Sequence, residues 1–385
     1  MAEYVSDKIK YVGVDDQSID IFEGQYQVPN GISYNSYIIL DEKCAIMDTV
    51  DRRGTGEWLK NVEEALAERT PDYLVVSHME PDHAANVQRI AEKYPAMQIV
   101  GNAKTFQMMK QFFDFDFEHR KVEVKEGDKL SLGEHELTFF MAPMVHWPEV
   151  MVSYESCEKV LFSADGFGKF GTLATKEDWS CEARRYYINI VGKYGMQVQA
   201  LLKKAATLDI QMICPLHGPV LKENLEYYIG KYQIWSSYEP EDKGVLVACA
   251  SIHGNTKAAA LKLVKKLEEK GVKAVFSDLT RDDMAEAVED AFRYDRLVVC
   301  ACTYDGGLFP AAEAFLSKLK AKNYQNRTVG LVENGTWAPL AAKCMKAQLE
   351  GLKNLTVIDG VVTIKSTLNA ESEAQMDQLV EELTK

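Results

Sequence analysis

Ser77-His78-Met79-Glu80-Pro81-Asp82-His83 decides how the first half of the chain is read. The stretch follows the apolar run Tyr73-Leu74-Val75-Val76 and sets two histidines and two carboxylates within six positions. On a loop after a buried strand, a rigid scaffold can hold such side chains convergent around a cation. A polar turn with incidental histidines would carry the same residues, so the test is whether partners exist elsewhere. They do: His146 in Met144-Val145-His146-Trp147-Pro148, Asp165 in Ser163-Ala164-Asp165-Gly166 and His217 in Pro215-Leu216-His217-Gly218. Each stands where a predicted strand runs into a loop. Four of the seven histidines (78, 83, 146, 217) occupy such places beside carboxylates. His119 and His135 read as solvated residues in charged surroundings, and His253 belongs to the second half.

Outward from that stretch the pattern is mixed α/β. Residues 32–40 read as one strand, turning at Asp41-Glu42-Lys43 into a second at 44–50. Helical spacing at 57–69 feeds the strand at 73–76, and helices at 84–93 and about 105–113 flank a strand at 98–100. Residues 121–141 alternate around a Glu126-Gly127-Asp128 turn, suggesting antiparallel strands. A strand at 151–154 and a long helical region to about 208 precede the segment around His217.

At 385 residues the chain exceeds what one core usually supports, so two domains are expected. A net charge of -14 disfavours nucleic acid or an anionic membrane as the main partner. The first residues lack the basic and apolar regions of a secretory signal, and no apolar run approaches membrane-spanning length; a cytoplasmic location follows as an expectation. Eight cysteines include no C-x-x-C pair, so no zinc ribbon or rubredoxin-type iron site is expected.

A polar connector at 236–244 separates the halves, giving expected domains at 1–240 and 244–385. Beyond it, strands at 245–250, 274–278, 296–303, 328–332 and 355–364 alternate with five helices, the pattern of a doubly wound parallel sheet. Ligands of such sheets bind at the carboxyl ends of the strands. There the sequence places Ser251-Ile252-His253-Gly254-Asn255-Thr256 at a helix start, where free N–H groups favour phosphate. Thr303-Tyr304-Asp305-Gly306-Gly307 and Glu333-Asn334-Gly335-Thr336-Trp337 follow the third and fourth strands, each with a glycine for close approach and an aromatic to cover a flat ring. Together these loops resemble the phosphate and isoalloxazine loops of flavodoxin, which implies FMN; Cys249 stands where the flavodoxin signature prefers an aromatic.

H-x-E-x-D-H followed by His146, Asp165 and His217 resembles the metallo-β-lactamase-like domain of the flavodiiron proteins, or A-type flavoproteins. With the flavodoxin-like half, the resemblance covers nearly the whole chain. It implies an N-terminal metallo-β-lactamase-like αββα sandwich, a C-terminal flavodoxin-like domain, FMN and two non-haem iron ions. By the resemblance, one iron takes His78, Glu80 and His146, the other takes Asp82, His83 and His217, and Asp165 bridges them. In some relatives the histidine matching His83 turns away. Trp147 and Tyr26 are candidates for the pocket lining. Glu80 stands where hydrolytic relatives generally carry a histidine; its harder, anionic oxygen suits iron better than hydrolytic zinc. The implied activity is reduction of O2 to water, of NO to N2O, or both, in a head-to-tail homodimer or a dimer of dimers. No further redox module follows within the sequence, so an external donor such as rubredoxin or a flavin reductase is expected. The alternative is a zinc-dependent hydrolase of the metallo-β-lactamase type fused to a flavodoxin.

Overall fold

The computed structural model describes residues 3–385 and divides them into two compact units. One runs through Tyr187 and resumes over Met196–Gln233; the other takes Ile188–Gly195 and Ile234–Lys385.

The first unit is built on two sheets. The larger has the order Glu3–Tyr4, Ile9–Tyr11, Tyr37–Leu40, Cys44–Met47, Tyr73–Val75, Gln98–Gly101, Lys121–Glu123. The smaller runs Lys129–Ser131, Glu136–Met141, Met151–Glu155, Val160–Phe162, Met212–Cys214. Alternate residues of a strand point to opposite faces. Tyr37, Ile39, Ala45, Met47, Tyr73 and Val75 therefore share one face of the large sheet. They form a single buried cluster with Leu137, Phe139, Met151, Val160, Phe162 and Cys214 of the small one. The intervening Ile38, Ile46 and Leu74 are fully buried too, so the large sheet is covered on its second face as well. Helix Thr55–Leu66 has the matching pattern, with Trp58, Val62, Ala65 and Leu66 buried at helical spacing. Helix Ala103–Phe112 starts at Asn102, whose side chain accepts from the N–H groups of Lys104 and Thr105, both at 3.0 Å.

Three local expectations change. The expected 32–40 strand is two strands: Ile32–Tyr34 pairs with Val14–Asp16 in a small separate ribbon, while Tyr37–Leu40 joins the large sheet. The break lies at the buried Asn35 and Ser36, whose side chains bond across the fold: Asn35 to the carbonyls of Pro215 and Gly218, Ser36 to that of Asp48. The Glu126-Gly127-Asp128 turn does not join paired strands. Lys121–Glu123 pairs in parallel with Gln98–Gly101, and the chain then crosses to the other sheet, where the hairpin is Lys129–Ser131 with Glu136–Met141. Finally, Asp82 and His83 lie on a one-turn helix, Pro81–Ala84, rather than on a loop. Proline at its first position presets φ for that turn.

The second unit is one parallel sheet in the order Ala274–Asp278, Asp242–Ala250, Tyr294–Tyr304, Thr328–Asn334, Thr356–Ile364, which is 2-1-3-4-5 in chain order. Helices Asn255–Glu269, Met284–Arg293, Pro310–Ala321, Ala341–Leu349 and Ala370–Leu383 alternate with the strands. The register sets Ala250 beside Ala301 and Cys302 beside Asn334, so the loops after strands one, three and four leave the sheet at one level. Among the described residues no helix is long and apolar enough to cross a membrane.

Phe139, fully buried between the two sheets of the first unit, offers a test of that core. Phe139→Ala is expected to lower the unfolding free energy by about 3–5 kcal/mol in chemical denaturation.

Candidate metal centre and cofactor cleft

Strands Cys44–Met47 and Tyr73–Val75 are parallel, as are Val160–Phe162 and Met212–Cys214, so their carboxyl ends open at one end of each sheet. The large sheet contributes His78, Glu80, Asp82 and His83 from the chain after Val76. The small sheet contributes Asp165 and His217 from two strand ends, and His146 from the connection between Glu136–Met141 and Met151–Glu155.

All seven side chains meet. Glu80 Oε2 stands 3.2 Å from His78 Nε2 and 3.1 Å from His146 Nε2. Asp165 Oδ2 is 3.0 Å from His146 Nε2 and 3.5 Å from His78 Nε2. A second group forms alongside: Asp82 Oδ2 lies 3.2 Å from His83 Nε2 and 3.3 Å from His217 Nε2. Asp165 Oδ1 reaches toward it, 3.1 Å from His83 Nε2 and 4.0 Å from His217 Nε2. Two ligands bound at about 2.1 Å to one ion and 90–110° apart stand roughly 3.0–3.4 Å from each other. The observed spacings match that figure for a pair of first-row cations, with one oxygen of Asp165 turned to each. Asp82 Oδ1, Asp165 Oδ1, His83 Nε2 and His217 Nε2 are buried without a hydrogen-bond partner. Such atoms cost about 1–3 kcal/mol each when left so, and a cation would satisfy them.

In the second unit the three strand-end loops line one cleft of about 550 Å3. Ser251, Ile252, His253, Asn255, Thr256, Thr303, Tyr304, Asp305, Gly306, Asn334, Gly335, Thr336 and Trp337 line it; the expected Gly254 and Gly307 do not. Gly254 instead takes φ 91° at the start of the helix, and Gly307 pairs back with Tyr304. Trp337 is 90% exposed and Tyr304 45%; exposed aromatics at the rim of a cleft fit a planar ring as their partner. Asn334 braces the wall, donating to Thr256 Oγ1 and the Ser366 carbonyl while accepting from Ser366 N–H. Gly335 leaves no room for a Cβ, which would lie 2.6 Å from Pro339 Cα.

The family model described as ODP family beta lactamase matches residues 32–218. An anaerobic nitric oxide reductase flavorubredoxin of Aliivibrio salmonicida is 27% identical over 88% of this chain and 70% of its own length. An uncharacterized protein of Methanocaldococcus jannaschii is 28% identical over 94% and 92%. Among solved structures, the rubredoxin oxygen:oxidoreductase of Desulfovibrio gigas superposes with a TM-score of 0.93 at 25% identity, covering 100% of this chain and 98% of that one. The chain is similar over nearly its whole length to a flavorubredoxin and to a rubredoxin oxygen:oxidoreductase. Its fold is accordingly metallo-β-lactamase-like followed by flavodoxin-like.

Several residues that organise the centre were not singled out from sequence. Glu149, fully buried, accepts from His78 Nδ1 at 2.7 Å and from Met79 N–H at 2.8 Å. Since a carboxylate only accepts, the ring's proton is held on Nδ1 and Nε2 is left facing the cluster. The Ser33 carbonyl does the same for His217 Nδ1 at 2.7 Å. Asp48 accepts from Ser77 N–H at 2.6 Å, and Thr49 Oγ1 donates to the His83 carbonyl at 2.6 Å, fixing both ends of the 77–83 stretch. Asp48, Met144, Ala164 and Phe167 all adopt positive φ without being glycine, backbone strain gathered around the centre. Phe22, Tyr34 and Tyr186 pack on the His217 ring at 5.6, 6.0 and 5.4 Å. Trp147 meets His78 edge-on at 5.2 Å, while Tyr26 packs on Phe170 at 6.0 Å. A spacing of one acid from one histidine could have flagged Glu149; nothing local marks Ser33, which acts through its backbone.

His135 is a correction: it is buried, not solvated, with Nδ1 2.8 Å from Asp41 Oδ2 and Nε2 3.2 Å from Glu158 Oε1. With Glu155 and Cys157 it forms a third group close enough to hold an ion. Glu155, however, already accepts from the N–H groups of Cys157 and Glu158 at 2.6 and 2.8 Å, so this group closes a turn with its own partners.

Charge at the centre is balanced internally. Burial alone would lower the His146 pKa, but hydrogen bonds to Asp165 and Glu80 outweigh it and raise it to about 9. Burial would raise Glu80, yet bonds to His146 and His78 bring it down to about 2. Asp165 is held well below its usual range, its own burial overcome by His83 and His146. Without a cation the His146 ring thus stays protonated at neutral pH, and a ligand imidazole must be neutral. Because its folded pKa is raised, that pairing stabilises the metal-free fold fully below pH 6.5 and is lost as pH rises through about 9. Metal loading at pH 7 is expected to release protons, measured with an indicator dye in weak buffer, and the release should shrink as pH passes about 9. Glu149→Ala, which frees the His78 ring, is expected to weaken metal binding by about 10–100-fold in chelator competition.

Proposed function

We propose that the chain reduces O2 to water, NO to N2O, or both, at a non-haem di-iron centre supplied with electrons through FMN. The observation that carries this reading is the pair of buried ligand groups sharing Asp165, one oxygen turned to each. His78, Glu80 and His146 would hold one iron, Asp82, His83 and His217 the other, with Asp165 between them. The cleft at 251–256, 303–307 and 334–337 would hold FMN. When bound, the iron pair supplies electrons and open positions for a diatomic gas, and the flavin supplies the electrons that restore it.

The chain's own residues set the conditions. Glu80 adds an anionic oxygen where both neighbours are imidazoles, which favours a hard, redox-active ion over a soft one. Glu149 and the Ser33 carbonyl hold His78 and His217 in the ligating tautomer. Phe22, Tyr34, Tyr186 and Trp147 pack against the ligand rings, keeping bulk water from the imidazoles.

The same reading extends to a head-to-tail homodimer, or a dimer of such dimers, in which one subunit's flavin serves the other's metals. An external donor such as rubredoxin or a flavin reductase would supply the electrons, as the name of the D. gigas relative suggests. The domain limits 1–240 and 244–385 belong to this proposal, as does a cytoplasmic setting.

The test uses the full-length protein, reduced without oxygen and loaded with iron, mixed in stopped flow with O2 and with NO at matched concentrations. Rapid oxidation by at least one gas is expected, and Asp165→Ala should lose at least about 100-fold of that rate while its flavin absorbance stays. Unchanged gas consumption in a metal-replete Asp165→Ala sample would refute the assignment. Zinc in metal analysis together with ester or lactam hydrolysis would favour the hydrolase instead.

A further inference from the structure

Side chains alternate along the strands of the small sheet, so Phe139, Met151 and Phe162 face the large sheet while Phe140, Val152 and Leu161 face away from it. Helix Gly195–Ala205 covers that second face. Between Phe140, Val152 and Leu161 on one side and Val198, Leu201, Leu202 and Ala205 on the other is a cavity of about 30 Å3. One water requires about 10–15 Å3 of such space, so a diatomic molecule fits. Three polar side chains also reach the lining, and each is already engaged. Ser163 Oγ donates to the Gly166 carbonyl at 2.6 Å, and the Tyr232 hydroxyl accepts from Phe167 N–H at 2.6 Å. Lys204 Nζ donates to the Met141 carbonyl at 3.0 Å and pairs with Glu126 Oε1 at 2.8 Å, which leaves its methylene stem to the wall. An ordered water needs about two to four polar partners; this lining favours an apolar guest instead. The inner wall lies against the candidate metal centre: Val145 precedes His146, and Gly166 and Phe167 follow Asp165. At the outer end Leu201, Leu202, Ala205 and Leu208 are half-buried, so the cavity leads from near the surface to the chain that carries two of the seven ligands.

We propose that this cavity is a binding site for an apolar diatomic gas, taking it up beneath helix Gly195–Ala205 and passing it to the centre beside Gly166 and Phe167. The inference rests on the gas-reducing reading of that centre. O2 and NO share the chemistry that matters here: both are small, uncharged and poor hydrogen-bonding partners, so each gains by leaving water for an apolar wall. Protons and water gain nothing there, because the polar groups at the wall are already paired. Gas is thereby concentrated next to His146 and Asp165 by a route that water does not share.

The experiment uses the full-length, iron-loaded protein and xenon as an apolar probe of gas-sized sites. Crystals pressurised with xenon should show the atom between Val152 and Leu201, and Ala205→Leu and Val198→Phe, which fill the space, should exclude it. In stopped flow, both filled variants should lose roughly tenfold in the second-order rate constant for O2 and for NO, with the limiting rate at saturating gas unchanged. Ala206→Leu, which adds the same atoms at the exposed neighbouring position, should change neither quantity. Leu201→Ala, which enlarges the cavity, should hold more xenon and slow neither gas. No xenon in the unsubstituted cavity, or unchanged rate constants in both filled variants, overturns the inference and leaves the gas-reducing reading standing. Unsubstituted protein that consumes neither gas overturns that reading and the delivery role with it.

Discussion

Asp165 is the constraint on which the first unit depends. Its carboxylate is 1% exposed, and four imidazole nitrogens lie 3.0 to 4.0 Å from its two oxygens. A buried carboxylate persists only where positive charge is arranged around it. That demand explains why strand ends of both sheets, the one-turn helix at Pro81–Ala84 and the connection carrying His146 all converge on one point. It also explains the strained backbone nearby, since positive φ at Ala164 and Phe167 is what turns the chain around Asp165. Glu149 extends the same logic outward: burying an acid beside His78 is tolerable because the ring and the Met79 N–H both donate to it.

The sequence made the chemistry of the centre legible because ligand residues announce themselves by type. Four histidines and three carboxylates at predicted strand ends could be gathered before any fold was known, and the structure brings all seven together. What stayed hidden works through geometry or through the backbone. Ser33 contributes a carbonyl, Asp48 contributes a cap to the start of a loop, and Glu149 looks like any acid after a proline. The two-stranded outcome at 32–40 was equally hidden. β-Propensity runs unbroken through that stretch, and only the distant carbonyls of Pro215 and Gly218, reached by Asn35, divide it. His135 misled for a related reason: its neighbours in sequence are charged, but the partners that bury it, Asp41 and Glu158, come from turns distant in sequence.

The second unit was read more fully, because alternating strands and helices leave little choice of architecture. The order is 2-1-3-4-5, with the direction of winding reversing after the first strand. The register then decides which loops meet, and it places the first, third and fourth together. Sequence could nominate the residues of those loops but not their division of labour. Asn334 and Thr303 illustrate this: the first braces the wall through Thr256 and Ser366, and the second accepts from the N–H groups of Leu340 and Ala341 to start a helix. Ser366 joins the cleft from a loop after the fifth strand that carried no signal of its own.

Each of the two ligand groups draws side chains from both sheets of the sandwich: His78 and Glu80 with His146 and Asp165, Asp82 and His83 with His217. Two cations held there would be staples driven across the seam between layers that otherwise adhere through apolar packing. Anything that binds the folded state alone stabilises it, by an amount that grows with the logarithm of its concentration over its dissociation constant. Metal supply would then govern how long the sandwich survives heat or proteolysis, apart from any turnover. A chain starved of metal would come apart first along that seam, at the end where the strands deliver their histidines.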